Sequence, residues 1–305
     1  MTGVLLVDKP AGVTSAGVIR RLGRRLGRRT KVGHVGTLDP FASGLLPLCV
    51  GEATKVARYL TGSFKTYEGT IVLGVATDTL DPTGAVVDEA GVPPLDAGLL
   101  ATVADAFTGT MEQTPPMYSA VKRAGVPLHR LARRGEEVER APRVVTVRTL
   151  TLRIEGPGRI GLHVECSKGT YVRVLASDVG RALGTVAHLG SLRRLTVGAL
   201  SVEQAAGLAE LEDAAHGVPL PLVPVADALG HLCRHVVSGP DLGRLRQGQQ
   251  EPLERLPPGD PGDPLLLLEG DAEGPVCGVA EAGPTGRWRL VRLLHPDSGT
   301  EPLHG

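Results

Sequence analysis

The chain has 305 residues, 42% of them hydrophobic, enough for two domains with a buried core and too much for a small disulfide-stapled scaffold. Its formal net charge is zero, yet residues 1–200 hold 26 Lys and Arg against 17 Asp and Glu, and residues 201–305 hold 7 against 16. A basic body suits a polyanion such as nucleic acid; the plainer account is a set of solvated arginine-rich faces.

Residues 4–8, VLLVD, read as a buried strand. The Pro- and Gly-rich KPAGVTS follows, with Thr14 or Ser15 placed to cap a helix over about 16–26. One side of that helix carries Val18, Ile19, Leu22 and Leu26; Arg20, Arg21, Arg24, Arg25, Arg28 and Arg29 fill the rest of the segment. A small-residue loop (30–44) leads to a short apolar strand, LLPLCVG, and then EATKVARYL reads as a two-turn helix closed by Gly62. TYEGTIVLG is a strand, and DPTG (81–84) is a turn leading into VVDEA. Leu95, Leu99, Leu100, Val103 and Phe107 mark an amphipathic helix stopped by Gly109. Segment 122–148 holds eight basic and three acidic residues. IGLHVEC (160–166) alternates as a half-buried strand does, and KGTYVRVLASDVGRALG turns into a helix with Val172, Leu175, Val179 and Leu183 inward. SVEQ (201–204) reads as a capping box before another helix.

Beyond about residue 230 the pattern changes. LLLLEG, VCGVAEA and RWRLVRLLHP are strand-like pieces between turn signals, which predicts a small β-domain over 231–305 after a larger domain over 1–230. Irregular alternation of strands and helices favours an α+β fold. Cys49, Cys166, Cys233 and Cys277 form no CxxC pair, which argues against structural zinc and for a reducing compartment. His231 and His235 in HLCRH stand four apart with no carboxylate beside them, so no metal is assigned. No signal peptide or membrane-length apolar run is visible, so a cytoplasmic protein is expected.

The stretch GHVGTLDPFASGLL (33–46) holds one carboxylate, Asp39. Between Lys9 and Asp39 lie seven basic residues and no acidic one. Asp before Pro commonly starts a turn. A carboxylate in a small-residue loop after a basic helix has another use, as nucleophile or general base on a bound polyanion, with Arg173 available to hold it charged. Aromatic residues are only 3% of the chain, so the positions of Tyr67 (KTYEG), Tyr118 (PPMYSA) and Tyr171 (KGTYVR), beside cations or turn signals, are informative. A tyrosine there can stack a nucleobase, or it can be an ordinary core tyrosine.

VDKPAGVTS (7–15), GHVGTLDPFASGLLPLCVGEATK (33–55), KTYEG (65–69), TDTLDPTG (77–84) and SKGTYVRVLASDVG (167–180) resemble, in order and spacing, the bacterial TruB family of tRNA pseudouridine-55 synthases. The resemblance covers roughly the first 230 residues. It implies a pseudouridine-synthase fold: a central mixed, largely antiparallel sheet flanked by helices, with a small C-terminal β-domain of the PUA type. It implies Asp39 as the catalytic aspartate, Tyr67 stacking on a flipped uracil, and Arg173 pairing with Asp39. Tyr171 and Leu192 would line the pocket, His34 would contact the T loop, and 122–143 would be a thumb-like insertion closing over the T arm. Lys9 and Pro10 are expected to support the pocket. Asp78 and Asp81 match as well, but DPTG is read as a hairpin turn and they are given no chemistry.

The resemblance and the basic body together imply a monomer that binds the T arm of tRNA, with Arg24, Arg25, Arg28 and Arg29 on phosphates, and with no obligate protein partner, metal or cofactor. Uridine 55 would be extruded from the T loop, at a cost of about a few kcal/mol. Its N-glycosidic bond would break with help from Asp39, and the rotated base would rejoin through C5. The alternatives are a non-catalytic RNA-binding or RNA-folding protein on the same scaffold, and a glycosidase-like hydrolase, which normally needs two carboxylates flanking the bond.

Overall fold

A computed structural model describes residues 1–27, 29–119, 121–123, 125–132, 134–215 and 218–295. The apolar run at the N-terminus forms β1 (Gly3–Lys9), in which Val4, Leu5 and Val7 are fully buried. Thr14 caps α1 (Ser15–Arg21), its hydroxyl accepting from the Gly17 amide at 2.9 Å. The helix expected over 16–26 is interrupted at Leu22 and resumes as α2 (Gly23–Leu26). Glycine at 23 is a weak helix former that lets the backbone bend, while Leu22 and Leu26 both still reach the core.

Next come β2 (Val32–His34) and β3 (Ser43–Val50). The expected helix 52–60 divides into a 3-10 turn, Gly51–Lys55, and α3 (Ala57–Thr61). Thr54 donates its hydroxyl to the Gly51 carbonyl at 2.8 Å, a local bond that competes with regular helix bonding. β4 (Lys65–Leu73) leads to the hairpin of β5 (Val75–Thr77) and β6 (Val86–Glu89), then α4 (Ala97–Ala106) and β7 (Gly109–Gln113). Within segment 122–143, β8 (Lys122–Arg123) pairs with β9 (Val126–Pro127), and α5 (Leu128–Ala132) follows. β10 (Arg143–Gly156), β11 (Arg159–Cys166), α6 (Val172–Ala182) and β12 (Ala187–Val197) complete the central elements.

After β13 (Leu200–Ser201), the SVEQ capping box forms but closes only one 3-10 turn, Val202–Gln204. Ala206 and Gly207 then pair with β1 as β14, and that pairing prevents the helix from continuing. α7 (Leu208–Asp213), β15 (Leu222–Val223) and α8 (Val225–Ala228) lead out of the body. The remainder is β16 (Cys233–Val237), α9 (Gly239–Arg246), α10 (Glu251–Glu254), β17 (Pro264–Glu269), β18 (Val276–Ala282) and β19 (Trp288–Leu293).

The architecture is α+β. The large sheet runs β14-β1-β3-β12-β4-β11-β10-β7, with β13, β15 and β2 pairing off that path. Only the β1–β14 and β3–β12 pairings in it are parallel, so it is mixed and largely antiparallel. Val18 of α1, Leu100 and Val103 of α4, and Leu175 and Val179 of α6 share one core with Ile71 and Val164 of the sheet. Each such fully buried aliphatic side chain contributes about 2 kcal/mol. β16-β17-β18-β19 form a separate small sheet. Its Leu266, Leu268 and Val279 join Val4, Leu6, Leu45 and Val197 of the body in a second core. Glu281 accepts from Arg58 and from the Tyr59 hydroxyl across the same seam. Among the described residues no helix is long and apolar enough to cross a membrane.

Candidate active site

Asp39 lies in the loop joining β2 to β3, and neighbouring segments fix that loop from several sides. Ser15 Oγ accepts from the Leu38 amide at 2.9 Å and donates to the Leu38 carbonyl at 3.0 Å. The Gly12 amide donates to the Pro40 carbonyl at 2.7 Å. Lys9 lies beneath, fully buried, donating to the carbonyls of Val13 at 2.7 Å and Pro10 at 3.0 Å. Burial pushes its ammonium down to about 8, against the pull of Asp39. Lys9 therefore ties the backbone of Pro10 and Val13 beneath the loop that carries Asp39.

Arg173 enters from the first turn of α6. The backbone of Tyr171, which precedes that turn, is held from both sides by Gln113: Oε1 accepts from the Tyr171 amide at 2.7 Å and Nε2 donates to its carbonyl at 3.1 Å. Arg173 is buried and connects two carboxylates. Its Nε lies 2.9 Å from Asp39 Oδ2, and its Nη1 lies 3.1 Å from Asp81 Oδ2. The Nε–H does not point along the first line, so that contact is a pairing of charges rather than a well-aligned hydrogen bond. Nη1 and Nη2 also donate to the carbonyls of Thr79 and Tyr118 at 2.7 and 2.9 Å.

The hairpin turn read in DPTG forms, and Asp81 within it pairs with Arg173. The turn lies between β5 and β6, and Asp81 is buried in it and fully partnered. Its Oδ1 accepts from the Thr79 hydroxyl, the Thr83 amide and the Thr83 hydroxyl at 2.7, 2.9 and 2.6 Å, while Oδ2 faces Arg173. Leu80 beside it holds φ at 61°, the left-handed region, a cost of about 1–2 kcal/mol for a residue with a Cβ. Asp78, in the same turn, accepts from the Tyr118 hydroxyl at 3.2 Å.

These groups meet at a recess of about 250 Å³ lined by Asp39, Lys65, Tyr67, Tyr171, Arg173, Leu192 and Arg194 among others. That volume is below the usual range of drug-sized pockets and matches a single nucleoside better than a base pair. The Asp39 side chain is 37% exposed at its wall. Desolvation is the main influence on its carboxyl and pushes it above the usual aspartate range; Arg173 opposes this, Asp81 adds to it, and Lys9 opposes it. Tyr67 is 8% exposed and belongs to the core as well as to the recess. Burial pushes its hydroxyl up, with Arg194 opposing.

The recess thus brings together Asp39, Tyr67, Arg173, Tyr171 and Leu192. His34 sits in β2, outside this lining and half-buried, with Nδ1 buried and unpartnered. Burial first, and Arg194 second, hold its imidazole below the ordinary histidine range. Arg24 and Arg29 are exposed. Arg25 corrects the expectation of a free phosphate contact: its guanidinium donates to the carbonyls of Ala214, Ala215 and Val218 past the end of α7. Arg28 lies outside the described residues. Lys65 and Arg194, both buried, went unnoticed in the sequence, and burial pushes Lys65 down to about 8.

A family model described as TruB family pseudouridylate synthase (N terminal domain) matches residues 24–172, and one described as tRNA pseudouridylate synthase B C-terminal domain matches 173–218. The second match runs from α6 past α7 within the large body, and the small sheet lies outside both. A protein named tRNA pseudouridine synthase B from Dechloromonas aromatica (strain RCB) is 45% identical over 295 residues, covering 95% of this chain and 96% of the relative. One of the same name from Cupriavidus metallidurans (strain ATCC 43123 / DSM 2839 / NBRC 102507 / CH34) is 47% identical over 300 residues, covering 95% and 94%. In fold, the chain is similar to a chain of a solved Cbf5-Nop10-Gar1 complex, with TM-score 0.73, 23% identity and coverage of 96% of this chain and 85% of that one.

Proposed function

The chain belongs to the TruB family of pseudouridylate synthases, and we propose on that premise that it converts a uridine of tRNA, uridine 55 of the T loop, into pseudouridine. The observation that carries the reading is a single one: the exposed edge of Asp39, held by an Arg173 that is itself fixed by Asp81, opens into a recess of nucleoside size beside Tyr67.

A uridine stacked in the T loop cannot reach this recess, so it is extruded, at a cost of about a few kcal/mol. The Tyr67 ring stacks on the base, and such stacking is worth about 1–3 kcal/mol. Exposed arginines on the body offset the remainder through phosphate contacts. In the recess the ionised Asp39 lies against the sugar, where a carboxylate serves as nucleophile or base and assists cleavage of the bond between C1′ and N1. The uracil, confined between Tyr67 and Leu192, rotates, and C1′ bonds to C5. C5 gives up its proton and N1 gains one, so the product has the mass of the substrate and the bond count closes without a co-reactant. Arg173 keeps Asp39 ionised and aimed, and Asp81 keeps Arg173 from following its own rotamer preferences. The protein works as a monomer on the T arm, with the thumb-like segment 122–143 closing over it.

Incubation with an unmodified tRNA transcript, followed by chemical mapping of pseudouridine, tests this reading. The expected result is one mass-neutral conversion in the T loop. Release of free uracil would identify a hydrolase instead, and binding without conversion would identify a non-catalytic RNA-binding protein.

A further inference from the structure

We propose that Arg194 is a positioning residue of this reaction, tying together the two ends of the Asp39 loop and setting Tyr67 beside it in one frame. The inference rests on the isomerase reading above. In SLRRL an arginine of an alternating strand is expected to point to solvent, yet Arg194 is 0% exposed. Its Nε donates to the Leu45 carbonyl at 2.7 Å and its Nη2 to the Gly36 carbonyl at 3.0 Å. Those carbonyls stand on either side of Asp39 in sequence, so one planar guanidinium bridges the loop's beginning and its end.

The backbone of the same residue reinforces the bridge. Arg194 pairs with Tyr67 across β12 and β4, and with Gly44 across β12 and β3. A Cβ on Gly44, which holds φ at 98°, would come within 2.3 Å of the Arg194 carbonyl oxygen, so only glycine permits this approach. Tyr67 and the close of the Asp39 loop are thereby registered against a single residue. The third guanidinium nitrogen, Nη1, is buried with no well-aligned hydrogen bond, and the Tyr67 hydroxyl lies against this guanidinium. Arg194 therefore meets Tyr67 through its side chain as well as through its backbone pairing. Lysine offers a point charge on a flexible stem and cannot reproduce a planar two-carbonyl bridge.

The groups facing Arg194 are Tyr67, Lys9, Lys65 and His34. Those facing Asp39 are Arg173, Asp81, Lys9 and Tyr67. A slackened loop moves Asp39 away from Arg173, the cation that holds its carboxyl down, so the acid limb of the rate profile moves to higher pH.

The test is single-turnover pseudouridine formation against pH, beside tRNA binding and thermal unfolding, for Arg194→Lys and Gly36→Ala. The second variant leaves Arg194 in place: its new Cβ would stand 3.2 Å from Nη1 and push the bridge from the loop side, while the left-handed φ of 69° at Gly36 strains the loop itself, so it counts only beside an Arg194 variant. Each is expected to lose about 100-fold in rate, the scale of a misplacement of about 1 Å, with tRNA affinity retained and the acid limb shifted upward. A merely structural arginine would lower the unfolding temperature and leave the limb of the folded enzyme where it was. If Arg194→Lys fails to fold, Arg194→Gln, which keeps a planar amide without the two-carbonyl bridge, takes its place. Wild-type rate and an unmoved limb in the folded variants would overturn the proposal. Failure of the wild-type protein to form pseudouridine would instead remove the function on which it rests.

Discussion

Arginines occupy two regions of this molecule under opposite physical conditions. Arg173 and Arg194 are buried, and carboxylates or backbone carbonyls take up most of their donors. Arg24 and Arg29, on the surface around α2, are exposed. A buried cation is costly unless closely paired, and once paired it fixes geometry that salt barely affects. An exposed one contributes little to stability but attracts a polyanion at a distance. The recess therefore supplies orientation and the surface supplies affinity. Arg21 and Arg25 lie between these cases: they hold Glu212 and the carbonyls past α7, so they brace the body.

The sharpest way to break this division is at Asp81. Asp81→Asn places an amide against Arg173 and removes half of its charge compensation. Opening a buried pair costs about 3 kcal/mol of stability, and the loss of orientation costs about 100-fold in single-turnover rate, with tRNA binding retained. Equal loss of binding and rate would mean that the buried and exposed sets are not separable.

A pH profile gives a subtler contrast. Asp39 acts ionised, and desolvation raises its carboxyl above the ordinary range, so the rate falls with falling pH at a limb above that of an exposed aspartate. Asp81 adds to that rise, so where Arg173 keeps its place against Asp39 the Asp81→Asn limb moves to lower pH, whereas a limb moved to higher pH would mean that Arg173 has left Asp39. An unmoved limb would separate Asp81 electrostatically from Asp39. The smallest effect is expected at the surface. Arg24→Glu with Arg29→Glu should flatten the salt dependence of tRNA binding by about 0.7–0.9 in log K per log salt for each phosphate no longer neutralised. The turnover of bound tRNA should be unchanged, and an unaltered slope would make these arginines an ordinary solvated face.

How much of this was readable in the sequence follows the same line between local and distant causes. β1, β4, β11 and α6 follow from apolar periodicity, because each buries one face against a neighbour. Asp39 as a reactive carboxylate, Arg173 as its cation and Tyr67 as a stacking ring stand out from the residues themselves, the resemblance gives them roles in one reaction, and the structure places all three at one recess. Asp81 was hidden because its turn chemistry is complete without the partner 92 residues away. Arg194 was hidden because strand alternation says nothing about which loop will cover a face. Residues 201–305 are acidic. Part of that charge serves the seam and the body: Glu281 meets Arg58, and Glu212 meets Arg21.

Asp39→Asn tests the central claim most directly. Asparagine keeps the shape and the turn preference of aspartate but is neither a nucleophile nor a base at neutral pH. Because the folded carboxyl is raised, its ionisation opposes folding above its folded pKa, and that penalty is absent below the unfolded value. The asparagine variant should therefore unfold at the same or a higher temperature at neutral pH, bind tRNA normally and form no pseudouridine in a single-turnover assay. A folded, tRNA-binding Asp39→Asn variant with near-normal turnover would contradict the account.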